Sequence, residues 1–357
     1  MTSRPVVRRP AIYNFLPQSP DWFCNLAHIN AKRRFLRKIR TQYHMEALAN
    51  CPHCGGHRFT PLSRQERSGL PTSVVICRDC ALIFTNPRLD AESLGDHYMK
   101  DYRDIERGDL PDIHHFMFDL QNSKATQIST FLADAGLAIP GGARLTDIGC
   151  GEGGLLAGLA AGKSSMQVVG YELNVAATAF GRSKGMDIRT AYFDGTDAAY
   201  DYVFLEQTLE HLPNPAALLT AIARNQAPGG VLYIGVPGVL AYPQNYESNF
   251  LQYLQYGHLF HYTLHTLERL VLPFGYRLAH GTETIQAAFV RIDGPPAPPR
   301  TPAQSAEAII AILEKAERIF RAKGSHFLRH FGNYLRYSLR WALCAIYPFK
   351  RMRPVRR

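Results

Sequence analysis

The sequence predicts an α/β protein: a doubly wound, mostly parallel sheet, with a small cysteine-bearing module ahead of it and a basic helical tail behind. Three observations carry this. Between residues 143 and 293 short apolar runs alternate with helical patterns, the order of strands covered by helices on both faces. The first of those runs breaks into a glycine-rich turn that opens a helix. Upstream, two C-x-x-C pairs sit in a stretch with little helical periodicity.

The elements follow in order. The first strand ends Leu145-Thr146-Asp147-Ile148, and the turn Gly149-Cys150-Gly151-Glu152-Gly153-Gly154 leads into a helix over 155–161. Glycines there allow a tight turn and a close approach of backbone to a nucleotide-like ligand, since no Cβ intervenes. The second strand, Gln167-Val168-Val169-Gly170-Tyr171, ends at Glu172, about twenty residues beyond the turn, where an acid can accept bonds from both ribose hydroxyls. Further strands are expected over 187–192, 200–205, 231–236, 276–282 and 286–292, the last two as an antiparallel hairpin, with a helix over 266–273. The fourth strand runs into Glu206-Gln207-Thr208-Leu209-Glu210-His211-Leu212-Pro213-Asn214-Pro215.

Gly149, Gly151 and Gly154 also satisfy the dinucleotide spacing G-x-G-x-x-G. Against a dinucleotide stand Asp147, placed where such enzymes carry an apolar strand residue, and the mid-chain position of the turn. At these residues the chain resembles class I S-adenosylmethionine-dependent methyltransferases, whose pattern is D-x-G-x-G-x-G, an acid after the second strand, and L-E-H-L-x-x-P after the fourth. The resemblance implies a Rossmann-like seven-stranded sheet and S-adenosylmethionine as cofactor. It implies that Gly149, Gly151 and Gly153 line the methionine side, that Asp147 holds the turn and the cofactor amine, and that Glu172 grips the ribose. Asp194 would meet the adenine amine, and Glu206 would open the loop over the sulfonium that runs to His211.

Cys51-Pro52-His53-Cys54 and Cys77-Arg78-Asp79-Cys80 can present four thiolates to one ion, the closed tetrahedral shell of a structural zinc. A redox dithiol or unpaired buried cysteines are the alternatives. The continuation Leu82, Phe84, Asn86 and Pro87, with Tyr98 and Tyr102, is similar to bacterial methyltransferases that carry an N-terminal zinc domain, among them deoxysugar C-methyltransferases. Their E-H-x-x-Y stretch, which supplies a catalytic histidine, has its nearest equivalent here at Tyr256 to Thr263, where Gly257 stands in place of the glutamate.

His258 and His211 are the candidate general bases, because imidazole titrates near neutral pH. His211 could equally cap a helix or bond a carbonyl. His261 reads as the residue that opens the following helix, and Tyr98 and Tyr102 as a packing stripe or substrate-orienting pair.

The net charge of +10 is unevenly spread: residues 1–50 carry +7, residues 318–357 carry +11 with no acid, and the body between carries −8. A nucleic-acid enzyme builds its positive field around the catalytic groove, so an acidic body disfavours that class. No apolar run approaches the ~20 residues that span a bilayer, and no secretory segment opens the chain, so a cytoplasmic protein is expected. In the tail, Leu328, Phe331, Leu335 and Leu339 recur at helical spacing between arginines, a pattern that suits an anionic membrane surface, a partner groove or the enzyme's own core.

The expected organisation is a basic extension (1–50), a zinc-binding module (51–87), a helical connector (88–142), the cofactor-binding domain (143–293), a proline-rich linker (294–302) and a helical basic tail (303–357). The expected function is methyl transfer from S-adenosylmethionine to a small-molecule acceptor, a sugar or glycan intermediate. An RNA methyltransferase using the basic termini, or a non-catalytic cofactor-binding scaffold, are the rivals. Nothing in the sequence speaks to oligomeric state.

Overall fold

The structure, a computed structural model, describes residues 5–6, 26–67, 69–107, 112–163, 165–295 and 298–322. The amphipathic reading of the tail beyond residue 322, and with it the membrane contact, lies outside the described residues. Among them no helix is long and apolar enough to cross a membrane.

In chain order, α1 (Leu26–Thr41) and β1 (Met45–Glu46) precede the cysteine module, which supplies β2 (Phe59–Gln65), β3 (Pro71–Cys77) and β4 (Ile83–Thr85). Then come β5 (Arg88–Leu89), α2 (Ala91–Lys100), α3 (Tyr102–Arg107) and the long α4 (Ile113–Asp134). The α/β body runs β6 (Arg144–Ile148), α5 (Gly154–Ala160), β7 (Gln167–Tyr171), α6 (Val175–Ser183), β8 (Ile188–Arg189), β9 (Tyr202–Glu206), α7 (Pro215–Asn225) and β10 (Val231–Gly235). A segment with α8 (Tyr242–Asn245), α9 (Phe250–Tyr253) and β11 (Phe260–His261) follows, then α10 (Leu264–Val271), β12 (Tyr276–Gly281), β13 (Gln286–Arg291) and α11 (Ala306–Ala322).

The body forms one seven-stranded sheet in the order β12-β13-β10-β9-β6-β7-β8. The strands β10, β9, β6, β7 and β8 are parallel, and β13 enters antiparallel between β10 and β12. Every residue of β10 is buried, as expected of a central strand covered on both faces. Local chemistry starts the helices: Asn214 accepts from Ala217 N ahead of Pro215 to open α7, and a reciprocal Thr263–Thr266 capping box opens α10.

Two expectations are corrected here. The strand expected over 187–192 is only β8. The Arg182 guanidinium binds the Ile188 carbonyl and the Thr190 hydroxyl, so the chain is drawn toward α6 instead of continuing the edge. His261 does not open α10; it lies buried in β11, and Thr263 is the cap.

A second sheet, in the order β11-β4-β3-β2, joins the cysteine module to the body, because β11 comes from the segment after β10. A continuous apolar core runs from Phe35 through Cys77, Phe84 and Tyr256 to Val203 and Ile234. The other side of the module sheet is covered by α11, whose Ile309 and Leu313 pack with Leu62, Ile76 and Phe250. The Glu268 carboxylate fixes the approach to α11 by accepting from the backbone N–H groups of Arg300 and Thr301, at 2.7 and 2.9 Å. The cysteine module is thus part of the same packed body as the segment carrying His258.

Candidate active site

The carboxyl ends of β6, β7 and β9 converge on the glycine turn. Gly149 holds φ +80°, a left-handed conformation, and a Cβ there would collide with the Thr208 side chain. Its N–H and that of Cys150 both bond the Tyr171 carbonyl, at 2.8 and 3.1 Å. Gly154, at the start of α5, lets α4 approach closely, since a Cβ would strike the Phe118 carbonyl. The turn is therefore clamped between β7, α4 and the segment after β9.

Three acids, Glu172, Asp147 and Glu206, lie at the turn in different states, and Asp194 stands apart from them. The Glu172 carboxylate accepts from Gly151 N at 3.0 Å and Asn174 N at 2.7 Å. Asp147 is buried with Oδ1 lacking a partner, and burial holds its carboxyl well above the usual range, with Glu206 and Glu172 adding to the effect. Glu206 is ion-paired with Lys124 of α4 at 2.7 Å. Asp194 is exposed and accepts from Thr196 N and Oγ1, which lowers its pKa. The left-handed turns without Cβ atoms, the buried polar atom of Asp147 without a partner and the acid at Glu172 suit an adenosine carrying a charged methionine tail. Lys124 of α4 and Gln121, which accepts from Gly154 N at 3.1 Å, were not legible beforehand. Nothing in the local pattern of that helix sets these two side chains apart.

Beside the turn lies a cleft of about 380 Å³ at the ends of β9 and β10. Its lining includes Lys124, Gln127, Gln207, Asn245, Thr284 and Gln286, and it is bounded by Glu206 and the backbone from Gly235 to Gly238.

On from β9, the chain turns at Gln207 (φ +56°) into a short 3-10 turn, Leu209–His211. His211 Nδ1 lies 2.8 Å from the Tyr98 hydroxyl and 3.0 Å from the Gly257 carbonyl. A carbonyl can only accept, so Nδ1 carries the proton and Nε2 is free. The Tyr98 hydroxyl also donates to that carbonyl, at 2.5 Å. A Cβ on Gly257 would press on Tyr98 and Tyr102, which occupy the space beside it. Tyr98 thus both packs and bonds at this point, and Tyr102 packs beside it. His258 stacks edge-on to His211 with ring centroids 4.7 Å apart. Burial pushes His211 down to about 4 and His258 well below its ordinary value. Glu210, at 1% exposure, is pushed up to about 8 by burial.

The four cysteines are grouped with all sulfurs within 4.8 Å of one another. Cys51–Cys80 and Cys54–Cys77 sulfurs are each 3.6 Å apart. Four thiolates about 2.3 Å from one zinc stand roughly 3.8 Å apart along each tetrahedral edge, so the donor set fits that ion. A hydrogen bond from Cys80 lowers the Cys51 thiol below its ordinary value. Gly56 N donates to Cys54 Sγ at 3.4 Å, a backbone donor that orients the ligand.

Residues 112–280 match a family model described as a methyltransferase domain. The chain is 33% identical over 99 residues to a ubiquinone biosynthesis O-methyltransferase of Alkalilimnicola ehrlichii, which covers 25% of this chain and 39% of that protein. The chain thus spans about two fifths of the length of the curated relatives it matches. Among solved structures, it resembles the magnesium protoporphyrin IX methyltransferase of Synechocystis at 16% identity and a TM-score of 0.41, covering 57% of this chain and 100% of that one. It also resembles CalS10, an amino pentose methyltransferase of Micromonospora echinaspora, at 27% identity and a TM-score of 0.27, over 39% and 56% of the two chains. The strand order, the glycine turn and the family match agree: residues 112–280 are a methyltransferase domain on the α/β fold of S-adenosylmethionine-dependent methyltransferases.

Proposed function

We propose that the protein transfers a methyl group from S-adenosylmethionine to a hydroxyl of a small polar acceptor, a sugar or glycan intermediate, and that a zinc ion at Cys51, Cys54, Cys77 and Cys80 holds the segment carrying His258 in place. The observation that supports this most is the cleft beside the glycine turn. Its amide, hydroxyl and ammonium side chains, Gln127, Gln207, Asn245, Gln286, Thr284 and Lys124, suit an acceptor rich in hydroxyls better than an apolar ring system.

When bound, the cofactor supplies an electrophilic methyl on a sulfonium. Everything else falls to the chain. Gly149, Gly151 and Gly153 would seat the methionine end, Asp147 its amine, Glu172 the ribose and Asp194 the adenine edge. Glu206, held by Lys124, would border both cofactor and acceptor. In-line displacement needs the acceptor held at a fixed distance and angle more than it needs strong acid–base groups. His211 and His258 are neutral at pH 7 and weakly basic, so a role as base rests on their position and not on basicity.

The zinc would act through structure. Thr85 of β4 donates to the His258 carbonyl at 3.0 Å, and Thr85 N donates to the Leu259 carbonyl at 2.9 Å. The cysteine module thereby fixes the backbone on which His258 sits.

Labelled S-adenosylmethionine offered with free sugars, nucleotide-linked sugars, polyprenylated phenols and total RNA tests the reading. It predicts label in the sugar fractions. Label confined to RNA or to the phenols would overturn the acceptor class.

A further inference from the structure

Glu210 is the least explained acidic group among the described residues. It is 1% exposed, and neither carboxylate oxygen has a hydrogen-bond partner. An ionised carboxylate left so costs several kcal/mol, so burial holds Glu210 as the neutral acid until something of opposite charge meets it. No lysine or arginine forms an ion pair with it among the described residues; the basic groups within 4.0 Å of it are two histidines.

Their arrangement is specific. His211 Nε2 lies 3.8 Å and His258 Nε2 lies 4.0 Å from the same oxygen, Oε1. Both distances are too long for hydrogen bonds. They approach those expected of atoms that share an ion: two ligands each 2.0–2.2 Å from one metal stand roughly 3–3.5 Å apart, which asks about half an ångström of inward movement. His211 is already set for this. Its Nδ1–H is bound to the Gly257 carbonyl, so the Nε2 lone pair faces Glu210, the second-shell arrangement usual for metal-ligating histidine. The Tyr98 hydroxyl and the Gly257 carbonyl lock the ring from behind.

We propose that Glu210 Oε1, His211 Nε2 and His258 Nε2 form a binding site for a divalent first-row transition cation, distinct from the four-cysteine site. Two imidazoles and one carboxylate suit Mn²⁺, Fe²⁺, Co²⁺ or Zn²⁺. On binding, the ion would displace the Glu210 proton, and the ligand set would then carry one negative charge for it to offset. Three protein ligands leave coordination positions for water or for oxygens of a small ligand. The site goes beyond the methyl-transfer reading, and its occupancy can be read without turnover.

The test uses the full chain with zinc retained at the cysteines, titrated with Mn²⁺, which thiolates disfavour. Loss of the free-ion electron paramagnetic resonance signal should show one Mn²⁺ bound per chain. Pulsed spectra of the bound ion should show couplings to two histidine nitrogens. Glu210→Gln, checked for folding by circular dichroism, should weaken binding at least about tenfold. Wild-type protein that binds no Mn²⁺, bound Mn²⁺ without nitrogen coupling, or a folded Glu210→Gln variant with unchanged affinity would each overturn the proposal. Should Glu210→Gln not fold, the nitrogen couplings of the wild type decide alone.

Discussion

Glu172 follows β7 and Glu210 follows β9, two strands apart on the same carboxyl edge, and the two carboxyl groups are handled in opposite ways. Glu172 is met by two backbone N–H groups and lies where a ligand can reach it. Glu210 is sealed under the cysteine module with no hydrogen-bond partner, facing two neutral histidines. The glycine turn is a preformed receptacle whose backbone is bonded locally, with the buried Asp147 Oδ1 left open toward it. The histidine shell is assembled from α2, the turn after β9 and the segment before β11, and it is held by contacts far apart in sequence. The cofactor region should therefore tolerate loss of its neighbours, whereas the histidine shell should depend on the cysteine module.

The largest expected effect breaks that dependence. Cys77→Ser removes a ligand of the closed site, and the module sheet shares β11 with the body. Zinc content should fall from one per chain to none at the cysteines, and stability should drop by several kcal/mol, since structural zinc contributes folding energy. Acceptor turnover should be lost while S-adenosylhomocysteine affinity stays within a few-fold. Elemental analysis, thermal unfolding and calorimetry check each part. A zinc-free protein of unchanged stability would show the module to be independent of metal.

Gly149→Ala attacks the other region. The left-handed φ and the collision with Thr208 both oppose a side chain there. Cofactor affinity should fall by roughly two orders of magnitude, with a stability loss of about 1–2 kcal/mol. Zinc content should not change.

Acid should expose the histidine side. His97 is buried among Phe35, Tyr98, Tyr102 and Tyr256 with neither ring nitrogen bonded, and burial pushes it down to about 4. Its folded pKa lies below the unfolded value near 6.5, so the neutral ring's stabilisation is complete above pH 6.5 and is lost as pH falls toward 4. On that shift the loss is on the order of 3 kcal/mol. Urea midpoints at pH 7.5 and 4.5 should diverge more for the wild type than for His97→Phe. Equal divergence would assign the acid sensitivity elsewhere.

The smallest effect is expected at Asp194, which is exposed and bonded within its own turn. Asp194→Asn should weaken S-adenosylhomocysteine by only a few-fold and leave stability unchanged, as titration calorimetry can show.

The two regions also differ in how far they could be read from the chain. The glycine turn, Glu172 and the order of the strands were legible because each is local: a strand pattern, a turn and an acid at a fixed offset. The paired cysteines were legible for the same reason. Glu210 was visible only as part of the Glu-His-Leu turn, since its burial depends on packing from residues 45 or more positions away. Lys124 and Gln121 carry no local signal; they matter because Gly154 lets α4 come close to the turn. The shortening of the third strand to β8 came from side chains, Arg182 and Thr190, that strand propensity does not weigh.

The central claim is that the turn from Gly149 to Gly153 with Glu172 receives S-adenosylmethionine and not a dinucleotide. Isothermal titration calorimetry of the full chain with S-adenosylhomocysteine and with NAD tests it most directly. The account predicts one S-adenosylhomocysteine bound per chain, at least about tenfold weaker binding in Glu172→Ala, and no heat from NAD. NAD binding as tight as S-adenosylhomocysteine, or unchanged affinity in Glu172→Ala, would contradict it.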